Sequence, residues 1–130
     1  MSDLSIQDKV KSLLSSSDKS NFVYDFLLAF DHPKSTIERL KKNKSQNQTV
    51  LILRNKIYFY KLGKSEDADD VIDKISESAI IRKFSIKYII VTDFNKFLSK
   101  DIFSNSLLNI NFIDLHKNLD FFLHLYYPKL

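Results

Sequence analysis

The chain of 130 residues contains no cysteine, no tryptophan, one glycine and two prolines. Without cysteine it can form neither disulfides nor thiolate metal sites. With Gly63 as its only glycine, it has no glycine-rich loop of the kind that cradles cofactor phosphates. The three histidines, His32, His116 and His124, are too scattered for a metal-ligand motif. The sequence therefore predicts no metal site and no cofactor.

Long apolar runs are also missing. No stretch reaches the length of about 18 apolar residues that a transmembrane helix needs, and no basic segment precedes a shorter apolar one as in a secretory signal. Together with the lack of cysteine, this predicts a cytoplasmic protein. The length suits a single domain. We expect residues 1–19 to form a helix or a frayed segment and residues 20–130 to form one α/β domain.

The charges are unevenly distributed, although the net charge is only +4. Residues 34–64 hold nine basic residues against one acid, Glu38, a net of +8. Residues 65–80 hold six acids against one base, Lys74, a net of −5. The acids precede or begin a predicted helix, where the helix dipole favours them. The basic stretch has no such structural explanation.

A β-branched and aromatic run from Ile86 to Phe94 is the strongest structural signal. Apolar residues on both sides of its centre are typical of a strand that is buried on both faces. We therefore expect this run to be the central strand of a sheet. The polar pair Thr92 and Asp93 stands at its end.

The remaining elements follow from hydrophobic spacing. The pattern predicts helices over 22–30, 34–42, 69–80 and 115–127, with strands over 49–53, 57–62, 97–101 and 107–112. Residues 54–56 make a tight turn, so the first two strands form a hairpin, whereas the helix before Ile86 is long enough to cross to a parallel neighbour. We expect Gly63 to adopt a backbone conformation that other residues avoid. The predicted fold is a mixed α/β (α+β) sheet of about five strands flanked by helices.

Three segments carry a resemblance: residues 22–42, residues 88–98 with Val91-Thr92-Asp93-Phe94, and residues 114–123. In this order they resemble segments near the start of type IIG restriction-modification enzymes, in which one chain joins an endonuclease-like region to an adenine-specific DNA methyltransferase. The resemblance covers roughly residues 20–125 and implies a restriction-endonuclease-like core.

The chain departs from that pattern at the catalytic motif. Such a nuclease needs an acid on one strand and an acid-x-Lys on the next, because two carboxylates hold the metal that activates water. Lys61 matches the lysine, but Phe59 stands where the acid belongs, and neither hairpin strand contains Asp or Glu. The nearest carboxylates, Glu66 and Asp67, come after Gly63. We therefore predict no catalytic residues.

Candidate DNA-binding residues lie on the predicted helix 34–42, the following loop and the hairpin. They are basic side chains that can contact phosphates: Lys34, Arg39, Lys41, Lys42, Lys44, Arg54, Lys56 and Lys61. A solvated lysine-rich surface is the alternative. Tyr58 and Tyr60 share one strand face, which either stacks on bases or is solvated or covered by a partner. Asp93 is either a functional polar residue at a strand end or a cap of the following turn.

Three functions remain open. The first is a non-catalytic, endonuclease-like domain of a restriction-modification system that contacts DNA or docks on the methyltransferase portion. The second is an active metal-dependent endonuclease. The third is a small phage or mobile-element protein that binds a host defence enzyme through a sheet edge.

Overall fold

The computed structural model describes residues 6–15, 19, 21–30, 32–42 and 49–125, apart from the side chains of Leu40 and His124. The chain divides into two compact units. Met1–Asn43 and Ile113–Leu130 form the first, here called the helical unit, and Lys44–Phe112 form the second, the sheet unit. Within the described ranges, no helix is both long enough and apolar enough to span a bilayer.

The helical unit contains three α-helices: α1 (Ile6–Leu14), α2 (Phe22–Ala29) and α3 (Lys34–Lys42). The predicted helices over 22–30 and 34–42 are thereby confirmed. The N–H of Phe30 closes α2 by donating to the Leu27 carbonyl at 3.0 Å. Pro33 precedes α3, and its carbonyl accepts the N–H of Ile37 at 3.1 Å. A proline suits this place, because the first turn of a helix does not use its N–H groups internally.

Aromatic rings fill the interior of the helical unit. One face of α2, which comprises Phe22, Phe26, Leu27 and Phe30, is buried. The Phe26 ring meets the Phe30 ring at 5.0 Å and the Phe122 ring at 5.3 Å, both edge to face. Edge-to-face pairs add to the free energy that burial of apolar surface supplies. Helix α2 is therefore held by packing rather than by capping, and its N-cap Asn21 makes no side-chain cap bond.

The sheet unit contains five strands: β1 (Val50–Leu53), β2 (Ile57–Lys61), β3 (Tyr88–Thr92), β4 (Lys96–Asp101) and β5 (Ser106–Asn111). They lie side by side in chain order. Strands β2 and β3 are parallel, and the other neighbours are antiparallel. Every residue of β3 is buried. The central strand, the hairpin and the mixed sheet are confirmed.

Two short helices, not one, connect β2 to β3. The prediction of a single helix over 69–80 is wrong: α4 (Ala68–Ser76) ends, and α5 (Ala79–Lys83) begins after Ser78. The Ser78 hydroxyl accepts the N–H of Ile80 at 3.3 Å and so caps a new helix. Both helices contribute to an apolar cluster with β3 and β4, whose buried members are Ile72, Ile75, Ile81, Ile86, Ile89, Val91 and Leu98.

The predicted helix over 115–127 is also wrong. The chain instead forms two 3₁₀ segments, Phe112–Lys117 and Leu119–Leu125, with non-helical angles at Phe122. The cause lies at Asn118, whose side-chain amide donates to the Asp114 carbonyl at 2.9 Å. Its backbone N–H, which an α-helix would direct to that carbonyl, bonds to Leu115 instead. Leu123 is 50% exposed. Residues 126–127 lie outside the described ranges.

Candidate functional site

Phe59 lies two residues before Lys61, at the position where the predicted acid-x-Lys pattern would have its acid. It lies in β2, is 7% exposed, and its ring centre is 6.2 Å from that of Phe94. The Phe94 ring in turn meets Phe112 edge to face at 5.4 Å. Side chains alternate along a strand, so these rings lie on the sheet face opposite to α4 and α5. The position is part of an aromatic cluster.

Lys61 is exposed at the end of β2, where its register partner is Thr92. The buried Thr92 hydroxyl is already used, because it donates to the Lys96 carbonyl and accepts the N–H of Phe94 at 2.9 Å. Within the described ranges, no group of three His, Cys, Asp or Glu side chains is placed to hold a metal ion.

The Glu66 carboxylate, close to β2, closes a turn. Its Oε2 accepts the hydroxyl of Tyr60 at 2.6 Å, and its Oε1 accepts the N–H of Gly63 at 2.7 Å. The bond from Tyr60, and then that from Gly63, lowers the pKa of Glu66. The same bond raises the pKa of Tyr60. Glu66 therefore stays ionised and committed to the turn.

Gly63 was expected to adopt a backbone conformation that other residues avoid. This prediction is wrong, because the φ of Gly63 is not positive. A Cβ at this position would lie 2.9 Å from Glu66 Oε1, closer than atoms in contact approach. Glycine leaves room for the Glu66 carboxylate in this position, and a larger residue would displace the end of that side chain.

Asp93 caps the turn between β3 and β4. Its Oδ1 accepts the N–H groups of Asn95 at 2.9 Å and Lys96 at 2.8 Å. These bonds, that of Lys96 foremost, lower the pKa of Asp93. Phe94, between them, has a φ of 68°. Of the two roles considered for Asp93, this geometry is that of a cap of the following turn.

Tyr58 and Tyr60 do not form an open stacking face. Both are half-buried and pack against the apolar cluster of α4 and α5. Burial raises the pKa of Tyr58. The chain's own helices cover much of this face, and a part of each ring stays exposed.

Helix α3 carries four of the predicted phosphate-binding residues. Lys34, Arg39 and Lys42 are exposed. Lys41 is half-buried, with its Nζ 4.0 Å from Glu38 and 5.5 Å from the centre of the Tyr24 ring. Lys44 lies outside the described residues.

The basic residues of the hairpin lie at two different ends of β2. Arg54 and Lys56 belong to the turn that precedes the strand, where Asn55 has a φ of 65°. Lys61 ends the strand, roughly 16 Å away at the usual rise per residue. The structure therefore separates Lys61 from Arg54 and Lys56.

Sequence reasoning missed the partners of Arg54. Its guanidinium lies 4.8 Å from the centre of the Phe84 ring, and the ammonium of Lys83 lies 5.6 Å from the same ring. The run Arg82-Lys83-Phe84 was a visible basic and aromatic signal. The parallel pairing of β2 with β3 brings this run close to the hairpin turn, and the sequence does not show that pairing.

The whole chain, residues 1–130, matches the family described as MmeI, N-terminal domain. The chain belongs to this family. It is also 33% identical over 124 residues to DNA methyltransferase A of Bacillus subtilis (strain 168). The predicted resemblance to the N-terminal region of restriction-modification enzymes is therefore confirmed.

The chain spans a small part of that relative. The match covers 92% of the chain and 14% of the methyltransferase. No solved structure matches the chain significantly. The sheet of this chain is mixed and five-stranded, and the restriction-endonuclease-like core stays a prediction.

Proposed function

We propose that this chain is a non-catalytic, endonuclease-like domain of a restriction-modification enzyme and that it contacts the DNA backbone. Phe59 carries the proposal. A metal-dependent nuclease needs a carboxylate at this place, and here a ring is packed against Phe94. The carboxylate of Glu66, after β2, is bound to Tyr60 and Gly63.

The DNA contact is supported by two sets of basic side chains. Helix α3 presents Lys34, Arg39 and Lys42, and the hairpin turn presents Arg54 and Lys56. Lysine and arginine side chains that neutralise phosphates release condensed counterions, so such binding weakens steeply as salt rises. Because these contacts address phosphates and not base edges, we expect weak binding with little sequence preference.

A plasmid-nicking assay tests the catalytic half of the proposal. With magnesium or manganese, the purified chain should leave supercoiled plasmid intact. Nicking that depends on the metal and disappears in Lys61→Ala would show an active nuclease and overturn the proposal.

A gel-shift series with duplex DNA tests the other half. Changing Lys41, Lys42 and Lys44 to Glu should weaken binding and flatten its salt dependence. The control changes Lys11, Lys74 and Lys96 to Glu, which alters the net charge equally outside the basic stretch. If both triple variants bind like the unchanged chain, the basic stretch is ordinary solvated surface.

A second candidate role is docking against a methyltransferase portion. The match to DNA methyltransferase A favours it, because the matching segment is only 14% of that protein. A relative of this chain is thus one part of a larger polypeptide. Phe103, between β4 and β5, is 85% exposed, and Leu107 on the edge strand β5 is 53% exposed. Titration of the chain with the methyltransferase encoded by the same or the adjacent reading frame tests this role. Phe103→Ser with Leu107→Ser should abolish the interaction, and unchanged binding would exclude this edge.

A further inference from the structure

One end of the sheet unit collects five basic residues from two distant segments. Residues 54–56 contribute Arg54 and Lys56, and residues 82–87 contribute Arg82, Lys83 and Lys87, with no acid in either segment. Backbone bonds join the segments: Asn55 N–H donates to the Phe84 carbonyl at 2.8 Å, and Lys87 N–H donates to the Lys56 carbonyl at 2.9 Å. We call these two segments the turn-end surface.

The Phe84 ring orders two of the cations. Arg54 and Lys83, both exposed, lie over it with their charged groups 4.8 Å and 5.6 Å from its centre. A cation over an aromatic face is attracted by the ring quadrupole. Side chains held in this way lose less conformational freedom when a ligand binds, so a larger part of the interaction energy appears as affinity.

Basic residues at the end of α5 have an ordinary explanation, because a helix C-terminus favours positive charge. Here the terminal carbonyls already have backbone donors. Ile86 N–H bonds to the Ile81 carbonyl at 2.9 Å, and Ser85 N–H bonds to the Arg82 carbonyl at 3.2 Å. Ser85 has a φ of 53°, which completes a Schellman cap. The carbonyls therefore do not require the side chains of Arg82 and Lys83 for capping.

Four acids of the sheet unit lie at its other end. Glu66 is bonded to Tyr60 near the end of β2, and Asp67, Asp69 and Asp70 follow at the start of α4. Asp101 lies at the turn end, beside the start of β3, but it is buried and its carboxylate accepts two backbone N–H groups. The turn end therefore carries an excess of positive charge, which attracts an approaching polyanion.

We propose that the turn-end surface binds the phosphate backbone of duplex DNA. Arg54 and Lys83, fixed over Phe84, contact phosphates, and the exposed Asn55 and Ser85 supply neutral donors between the cations. Mixed cationic and neutral donors of this kind are typical of backbone contacts, and they favour nucleic acid over an acidic protein. The inference rests on the proposed DNA contact and specifies the surface that makes it, including Arg82, Lys83, Phe84 and Lys87.

Fluorescence anisotropy with a labelled duplex, titrated at several salt concentrations, tests the inference on the full chain. The test variant changes Arg54, Arg82 and Lys83 to Ser. The control changes Lys64, Lys74 and Lys96, which are exposed and away from the turn-end surface, to Ser, with the same loss of charge. Each lost phosphate contact should reduce the slope of log affinity against log salt by about 1. We expect a reduction of about 2 to 3 in the test variant and less than about 1 in the control.

Phe84→Leu keeps an apolar side chain but removes the ring, so it should weaken DNA binding several-fold while circular dichroism shows a folded protein. Equal salt slopes in the two triple variants, with binding retained, would overturn this inference and leave DNA contact through α3 intact. Absence of DNA binding by the unchanged chain would overturn both proposals. Poly-glutamate bound as tightly as a duplex, and lost in the same test variant, would replace nucleic acid with an acidic protein as the partner.

Discussion

The hydroxyl of Tyr60 donates a hydrogen bond to Glu66 Oε2 across 2.6 Å. This bond links a strand that packs against α4 to the turn that leads into that helix. The bond raises the pKa of Tyr60 and lowers that of Glu66. It also satisfies the hydroxyl of a tyrosine whose ring joins the apolar cluster.

Glu66→Gln should lower the pKa of Tyr60 towards its ordinary value of 10.0, because the hydrogen bond to the carboxylate is the main cause of the shift. NMR titration of labelled tyrosine ring carbons measures this. The pKa of Tyr58 is raised by burial and serves as the internal reference. A Tyr60 titration that is the same in both proteins would show that the bond is absent in solution.

Asp93 should stabilise the protein at neutral pH and lose this effect in acid. Its pKa in the folded state lies below the ordinary value of 3.8, so the contribution is present above about pH 4 and disappears as pH falls through the lower folded value. Asp93→Asn should therefore destabilise at pH 7 and converge with the unchanged protein near pH 2. Urea unfolding at the two pH values measures this, with Asp120→Asn as the control for net charge. A difference that grows in acid would contradict the assignment.

Ile90→Asp should cost several kcal/mol, which is enough to unfold a domain of ordinary stability. Ile90 is fully buried in the central strand, and a carboxylate there would have no partner. Leu107→Asp, on the edge strand at a 53% exposed position, should cost far less. In hydrogen exchange, the amides of residues 88–92 should be among the slowest. Rapid exchange through 89–91 in an otherwise folded protein would refute the central position of β3.

Phe59 should behave as a core residue. Phe59→Ala should cost about 3–5 kcal/mol and Phe59→Leu about 1.5 kcal/mol or less, because the smaller change leaves less cavity. Phe59→Glu should destabilise as strongly and produce no nicking. Urea unfolding measures the series, with Phe103→Ala, at an 85% exposed position, as a nearly neutral control. A stable Phe59→Glu variant that nicks DNA would show that a cryptic nuclease site survives.

Hydrophobic spacing was sufficient to predict the larger elements. Ile86 to Phe94 contains β3, and the predicted helices over 22–30 and 34–42 contain α2 and α3. The errors arose where one side chain competes with the backbone. Ser78 divides the crossover into two helices, and Asn118 replaces an α-helical bond with its own amide. Hydrophobic spacing does not reveal a single hydrogen bond between a side chain and the backbone.

One candidate residue could be interpreted from the sequence: Asp93, at the end of a predicted strand, was weighed as a cap of the following turn, and its carboxylate caps that turn. The sequence does not show that Arg54 lies over Phe84, since 30 residues separate them and the parallel register of β2 and β3 brings them together. It also does not show that Tyr58 and Tyr60 face the chain's own helices.

Because the strands lie in chain order, most of the sheet can assemble from short-range contacts. Three of the four pairings close through short turns, and only β2 with β3 must wait for residues 62–87 to come into place. Closing that loop loses more chain entropy than any turn, so this step should govern the folding rate. We expect Ile72→Val and Ile75→Val in α4 to slow refolding in stopped-flow measurements, with φ-values above those of Leu108→Ala in β5. The hairpins would then form and unfold many times before β2 pairs with β3 and completes the sheet.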